Sequence, residues 1–193
     1  MLRGLVYTKL EPLLNRIAKS LSQRNITPNQ LTLAGAFLNL LAGLAYSGGL
    51  FVLGGILVLI GALGDLLDGP VARLTGETSP FGAFLDSTVD RYSDFFLFGG
   101  VTLHLAMIES WGGAVAGLGI ILGTFLTSYT KARSESLIPA CSAGFLERPE
   151  RIIILLVGSF ITPLFPWCLA VLLVGTHVTA LQRIVFVRKA LIK

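Results

Sequence analysis

Charge is what this chain has least of. Asp, Glu, Lys and Arg together make up 13% of its 193 residues, roughly half the share typical of a soluble domain. With 53% hydrophobic residues and a mean hydropathy of +0.78, an ordinary water-soluble fold is excluded. Cysteine is equally scarce. Cys141 and Cys168 lack the spacing of a metal site or a disulfide framework and read as small apolar side chains. The two histidines, His104 and His177, have no companion ligands in the sequence and read as packing residues. The apolar runs lack strict alternation, which disfavours a transmembrane barrel. No internal repeat or low-complexity segment is visible. No cleavable signal peptide is expected, because charges run through the N-terminal segment where an apolar core should lie.

What is present is a series of long apolar runs. They predict an all-α, polytopic membrane protein built as a single membrane domain over residues 1–193, with room for about six spans of ~20 residues. The spans fall near 30–47, 50–73, 82–108, 112–133, 149–163 and 166–188, and their short connections imply antiparallel neighbours. Ahead of them, residues 5–20 put Leu5, Leu10, Leu13, Leu14, Ile17 and Leu21 near one face and Lys9, Arg16 and Lys19 elsewhere. That pattern predicts an amphipathic helix lying in the membrane interface. Glycines at 35, 43, 54, 55, 61 and 64 read as close-packing points between helices.

Basic residues set the orientation. Both termini and the even-numbered connections hold Lys9, Arg16, Lys19, Arg24, Arg73, Lys131, Arg133, Arg148, Arg151, Arg188, Lys189 and Lys193, whereas the odd-numbered turns hold none. The positive-inside rule therefore predicts cytoplasmic termini. The pI near 9.3 has the same origin, with anionic lipid headgroups as the partner and no nucleic acid expected.

Against this background six charges stand out: Asp65, Asp68, Arg73, Asp86, Asp90 and Arg91, inside or at the rims of two apolar segments. A charge at the bilayer centre costs roughly 2.5–3.5 kcal/mol on insertion scales, and four neighbouring carboxylates repel one another. Asp65 and Asp68 are three apart and Asp86 and Asp90 four apart, so each pair shares a helix face. On consecutive antiparallel helices the two pairs would face each other near the cytoplasmic rim. Four such carboxylates form a hard-oxygen site suited to Mg²⁺ or Mn²⁺, and two ions would serve a phosphoryl displacement. Gly69 and Gly82, without side chains, would let a nucleotide or pyrophosphate approach the backbone. Arg91 and Asp94 read as an internal ion pair, and Glu109 as a solvated residue at the opposite turn. Facing Asp motifs also fit a polyprenyl transferase or a divalent-cation transporter. The transporter reading is opposed by basic residues at the same rim. The prenyl reading leaves Gly69, Ala72, Arg73 and Gly82 unexplained.

The string D-x2-D-G-x2-A-R-x8-G-x3-D-x3-D, filled at every fixed position from Asp65 to Asp90, resembles the signature of the CDP-alcohol phosphotransferases. The six-span layout is similar to that family too, as is the segment Thr27, Pro28, Asn29 and Thr32 before the first span. The resemblance implies an enzyme that moves a phosphatidyl-type group from a CDP-linked lipid to the hydroxyl of a small alcohol, releasing CMP and requiring Mg²⁺ or Mn²⁺. It implies Asp65, Asp68 and Asp86 as metal ligands, with Asp90 both contributing to the metal site and acting as general base. Gly69, Ala72, Arg73 and Gly82 would line the cytidine diphosphate pocket, and a homodimer is implied as well.

A second basic group narrows the acceptor. Lys131, Arg133, Arg148 and Arg151 are expected at the same rim as the acids, which suggests an acceptor that itself bears phosphate. The segments around Lys131 and Arg151 resemble the family branch that uses inositol phosphate, with glycerol phosphate the next candidate. In that branch Lys131 and Arg151 would bind the acceptor phosphate. Arg183, otherwise an awkward charge in an apolar helix, would be a third ligand. Arg133 and Arg148 read instead as topology determinants, a reading that also competes for Lys131 and Arg151.

Overall fold

The computed structural model describes residues 2–24 and 26–192, with side chains from residue 12 onward. Among the described residues the chain is helical without a strand: α1 (Leu2–Gln23), α2 (Pro28–Ser47), α3 (Phe51–Thr75), α4 (Pro80–Met107), α5 (Trp111–Glu135), α6 (Arg148–Phe160) and α7 (Phe165–Leu191). Local chemistry explains several boundaries. Thr27 caps α2 in a capping box with Gln30, with Pro28 opening the helix. Ser79 caps α4 through the Gly82 N–H at 3.0 Å, and α3 ends on Gly76 in the left-handed conformation.

Two expectations change here. The helix expected over 149–163 stops at Phe160, and a 3₁₀ turn, Thr162–Leu164, takes over around Pro163. Among the described residues four stretches are long and apolar enough to cross a bilayer: α2, α3, α5 and Thr162–Leu191. At 13 residues, α6 rises only about 20 Å. The apolar face expected at Leu5 and Leu10, and Lys9 opposite it, lies outside the described side chains. Further along α1, Leu14 and Ala18 are buried while Leu13 and Ile17 stay exposed, and the helix packs on α3.

The second change concerns packing order. Although consecutive, α3 and α4 do not form a tight pair; both pack on α2. Glycine is the reason. A Cβ on Gly43 of α2 would collide with the Phe96 carbonyl of α4, and one on Gly100 would strike Gly43 in turn. On the other side, a Cβ on Gly61 would lie 3.3 Å from the Gly35 carbonyl. Backbone contact at these points draws both helices onto α2. G100L is therefore expected to lower the melting temperature in detergent, overpacking being worth about 1–3 kcal/mol. G99L is its control, since a Cβ at Gly99 meets nothing within 4 Å.

The core is built from Tyr46, Val58, Leu97, Phe98, Val101, Ile120, Leu155 and Leu172, all fully or almost fully buried. Tyr46 closes it with a 2.8 Å hydrogen bond to Ser159. Cys141 and Cys168 are buried free thiols, and His104 packs edge-on against Phe51, in line with their expected packing roles.

Candidate functional site

All the candidate site residues come from the same end of the bundle. Asp65 and Asp68 lie in the last turns of α3, Asp86 and Asp90 in the first turns of α4, Lys131 near the end of α5, Arg151 at the start of α6 and Arg183 late in α7. Two linked clusters result.

The acidic cluster is organised by Arg148. One nitrogen, Nη1, lies 2.8 Å from Asp65 Oδ2 and 2.5 Å from Asp90 Oδ1, while Nε is 3.7 Å from Asp94 Oδ1. Asp68 is held separately: its Oδ1 accepts from the Gly69 N–H at 2.6 Å and its Oδ2 from Thr32 Oγ1 at 3.3 Å. Thr32 thus ties the segment before the first apolar run to the signature. A Cβ on Gly69 would stand 3.6 Å from Arg73 Nη1, and one on Gly82 3.8 Å from Asn29 Oδ1. Gly69 thus lies beside the exposed Arg73, and Gly82 beside Asn29.

Among the described residues no three acids converge closely enough to hold a metal ion as they stand. The expected facing of the two aspartate pairs is modified: Asp65 and Asp90 meet through a cation supplied by α6. The donor set nevertheless fits a hard divalent ion. Its oxygens are all carboxylate, and Asp65 and Asp90 already share one positive centre. Displacement of the Arg148 guanidinium is the condition for that fit.

The basic cluster is equally specific. Lys131 Nζ donates to Glu147 Oε1 at 2.8 Å, and Arg183 Nη2 donates to the same oxygen at 3.1 Å. Arg183 is buried, its Nε held by the Ala143 carbonyl at 3.0 Å and its Nη1 by the Thr127 carbonyl. Gly144, at φ +106°, gives the connection room to pass: a Cβ there would sit 3.0 Å from Arg183 Nε. Arg151 is buried as well, with Nη1 on Thr127 Oγ1 at 3.2 Å and Nη2 on Asp94 Oδ2 at 2.7 Å. Thr127 thus joins Arg151 to Arg183, and Asp94 joins the basic cluster to Arg148 and the acids.

Several roles differ from expectation. Asp94, 1% exposed, pairs with Arg151 rather than Arg91, and Arg91 turns to Asp90 at 3.4 Å. Arg148 is no topology residue but the bridge of the acid cluster. Arg133, by contrast, is exposed and bonded to Ser136. Sequence reasoning gave no role to Glu147 or Thr127, and singled out Thr32 only as part of the segment before the first span. The signal for Glu147 was its position before Pro149, which makes it the N-cap of α6 and points it toward the end of α5.

Comparison with known proteins identifies the family. Residues 25–182 match the sequence profile of the CDP-alcohol phosphatidyltransferase family. The archaetidylinositol phosphate synthase of Pyrococcus horikoshii is 40% identical over 152 residues, covering 78% of each chain. The phosphatidylinositol phosphate synthase of Streptomyces avermitilis is 37% identical, covering 91% of this chain and 78% of its own. Among solved structures, the Mycobacterium tuberculosis phosphatidylinositol phosphate synthase in complex with manganese and citrate aligns at a TM-score of 0.84 with 32% identity, over 90% of this chain and 88% of that one. The same enzyme with CDP-DAG bound aligns at 0.75, also with 32% identity, over 93% and 92%.

Proposed function

Because this chain belongs to the CDP-alcohol phosphatidyltransferase family, we propose that it transfers the lipid-bearing phosphoryl group of a CDP-linked lipid to a hydroxyl of inositol phosphate, releasing CMP. The observation that carries the acceptor assignment is the convergence of Lys131 and Arg183 on one carboxylate oxygen, with Arg151 tied to Arg183 through Thr127. Three cations from three helices form an anion-binding point beside the acid cluster. Glycerol phosphate, which presents the same group, is the second acceptor.

In this reading Asp65, Asp68, Asp86 and Asp90 hold Mg²⁺ or Mn²⁺, two ions, and Gly69, Ala72, Arg73 and Gly82 border the cytidine diphosphate. The bound cations would neutralise the diphosphate and favour departure of CMP. Arg148 withdraws from Asp65 and Asp90, and Asp90 takes the proton of the acceptor hydroxyl. That oxygen forms its new bond to the phosphorus bearing the lipid, and the bond to the bridging oxygen breaks, its electron pair leaving with CMP. Arg73 meets phosphate at the exposed rim. Lys131, Arg151 and Arg183 fix the acceptor by its phosphate so that its hydroxyl reaches Asp90.

The whole chain acts as one membrane domain, with α4 and α6 completing six spans, α1 in the interface, and both termini and the site on the cytoplasmic side. Exposed Trp111 and Trp167, at the helix starts of the opposite end, suit a membrane–water boundary. The functional unit in this reading is a homodimer.

CMP release from CDP-diacylglycerol by the purified protein tests the reaction: it should require Mg²⁺ or Mn²⁺ and stop with EDTA. Release that is indifferent to chelation would contradict the metal assignment. K131A is expected to raise KM for inositol phosphate about 10–100-fold, the worth of one charge-assisted hydrogen bond, with KM for the CDP-lipid unchanged. Equal shifts in both constants would remove Lys131 from the acceptor site.

A further inference from the structure

Glu147 stands at the centre of the basic cluster, yet an anionic acceptor has no use for a carboxylate there. Its Oε1 takes hydrogen bonds from both Lys131 and Arg183. Its side chain is 37% exposed, whereas that of Arg183 is 3% exposed. The carboxylate therefore lies, like the half-exposed Lys131, on the solvent side of Arg183 and can leave toward water without uncovering the core. We propose that Glu147 is a built-in competitor for the acceptor's phosphate, a tethered carboxylate that compensates the cations before the acceptor binds and must be displaced when a phosphate enters.

The inference rests on the acceptor-site reading above and adds a specificity rule to it. A buried cation left without an anion is strongly destabilising, so Arg183, the buried partner of Glu147, needs an internal counter-charge while the acceptor is absent. A tethered carboxylate is present at high effective concentration and lowers the apparent affinity of any rival. A phosphate monoester, with about −1.5 to −2 charges and three acceptor oxygens, outcompetes a single carboxylate. A neutral polyol does not. Glu147 would thus exclude unphosphorylated alcohols from a pocket whose hydroxyl-binding surface they could otherwise occupy. Glu147 and Glu150 form a capping box at the start of α6, the Glu147 side chain accepting from the Glu150 N–H and Glu150 Oε2 accepting from the Glu147 N–H at 3.0 Å; when the carboxylate turns from the cations, the second of these bonds still holds the helix start.

The test is calorimetric binding of inorganic phosphate to the full chain in detergent, without added divalent ions, for wild type, E147Q, E147D and K131A. In E147Q the amide can still accept the capping N–H but carries no charge, and E147D draws the carboxylate back by one methylene while remaining a good N-cap. Both are expected to bind phosphate more tightly, E147Q by about tenfold, whereas K131A should bind at least tenfold more weakly. Unchanged or weaker phosphate binding in both Glu147 variants, with K131A still impaired, would overturn the competitor role and leave the acceptor pocket standing. If K131A binds phosphate as wild type does, the pocket reading fails and the inference with it.

Discussion

Replacing Asp90 by Asn is expected to lower the rate of phosphatidyl transfer by about 10²–10⁴, the range for loss of a general base, at saturating Mn²⁺ and with KM for the CDP-lipid little changed. The substitution preserves shape and one acceptor oxygen toward Arg148 or Arg91, so the local packing of α4 survives. What it removes is the capacity to take a proton. Asp90 is the acid best situated to do so. Its two oxygens face Arg148 at 2.5 Å and Arg91 at 3.4 Å, and Arg148 links it to the helix that also carries Arg151. Asp68, by comparison, is held by the Gly69 N–H and by Thr32, residues of α3 and α2 rather than of α6. Single-turnover rates across a series of Mn²⁺ concentrations separate the base from the ligand role. A rate restored by excess metal would make Asp90 a ligand only.

Asp94→Ala is expected to be the most destabilising single change in the site. Asp94 and Arg151 are 1% and 2% exposed and pair at 2.7 Å, and removing one partner of such a pair costs about 3–5 kcal/mol because the other charge stays buried. The measurement is the melting temperature of the detergent-solubilised protein, with the yield of folded protein beside it. Combining D94A with R151L should return much of the lost stability, since an apolar replacement of both partners removes the orphaned charge. Activity with inositol phosphate should stay low in the double variant, because Arg151 also serves the acceptor. Full recovery of activity would reduce Arg151 to a structural role.

These two residues also mark how far the sequence could be read. The aspartates of the signature, their helices and their common end of the bundle were legible, because i, i+3 and i, i+4 spacing depends only on local helical geometry. Helix edges followed from caps and prolines to within three residues, the break at Thr162 and Pro163 included. Packing order was not legible. Chain adjacency pointed to an α3–α4 pair, but Gly43 and Gly100 bring α4 onto α2 through backbone contact that no hydropathy pattern encodes.

Ion-pair partners were hidden for a related reason. Arg148 reaches Asp65 across 83 positions and Arg151 reaches Asp94 across 57, and a basic residue at a helix end looks the same in sequence whether it faces headgroups or a buried acid. Arg133 and Arg148 illustrate this: both flank apolar runs, yet one is exposed and the other bridges the acids. Glu147 escaped notice because acidic residues near a helix start are ordinarily caps, and this one is a cap as well as a ligand of two cations.

The division of the site into an acid cluster for the CDP-lipid and a basic cluster for the acceptor phosphate is tested most directly by an acceptor panel. Initial rates of CMP release from CDP-diacylglycerol, with Mg²⁺ present, would be measured for inositol phosphate, glycerol phosphate, inositol and serine, in wild type and K131A. The expected result is release with inositol phosphate at least about 100-fold more efficient than with inositol, and a preference that largely collapses in K131A. Release as fast with inositol or serine as with either phosphorylated acceptor would contradict it.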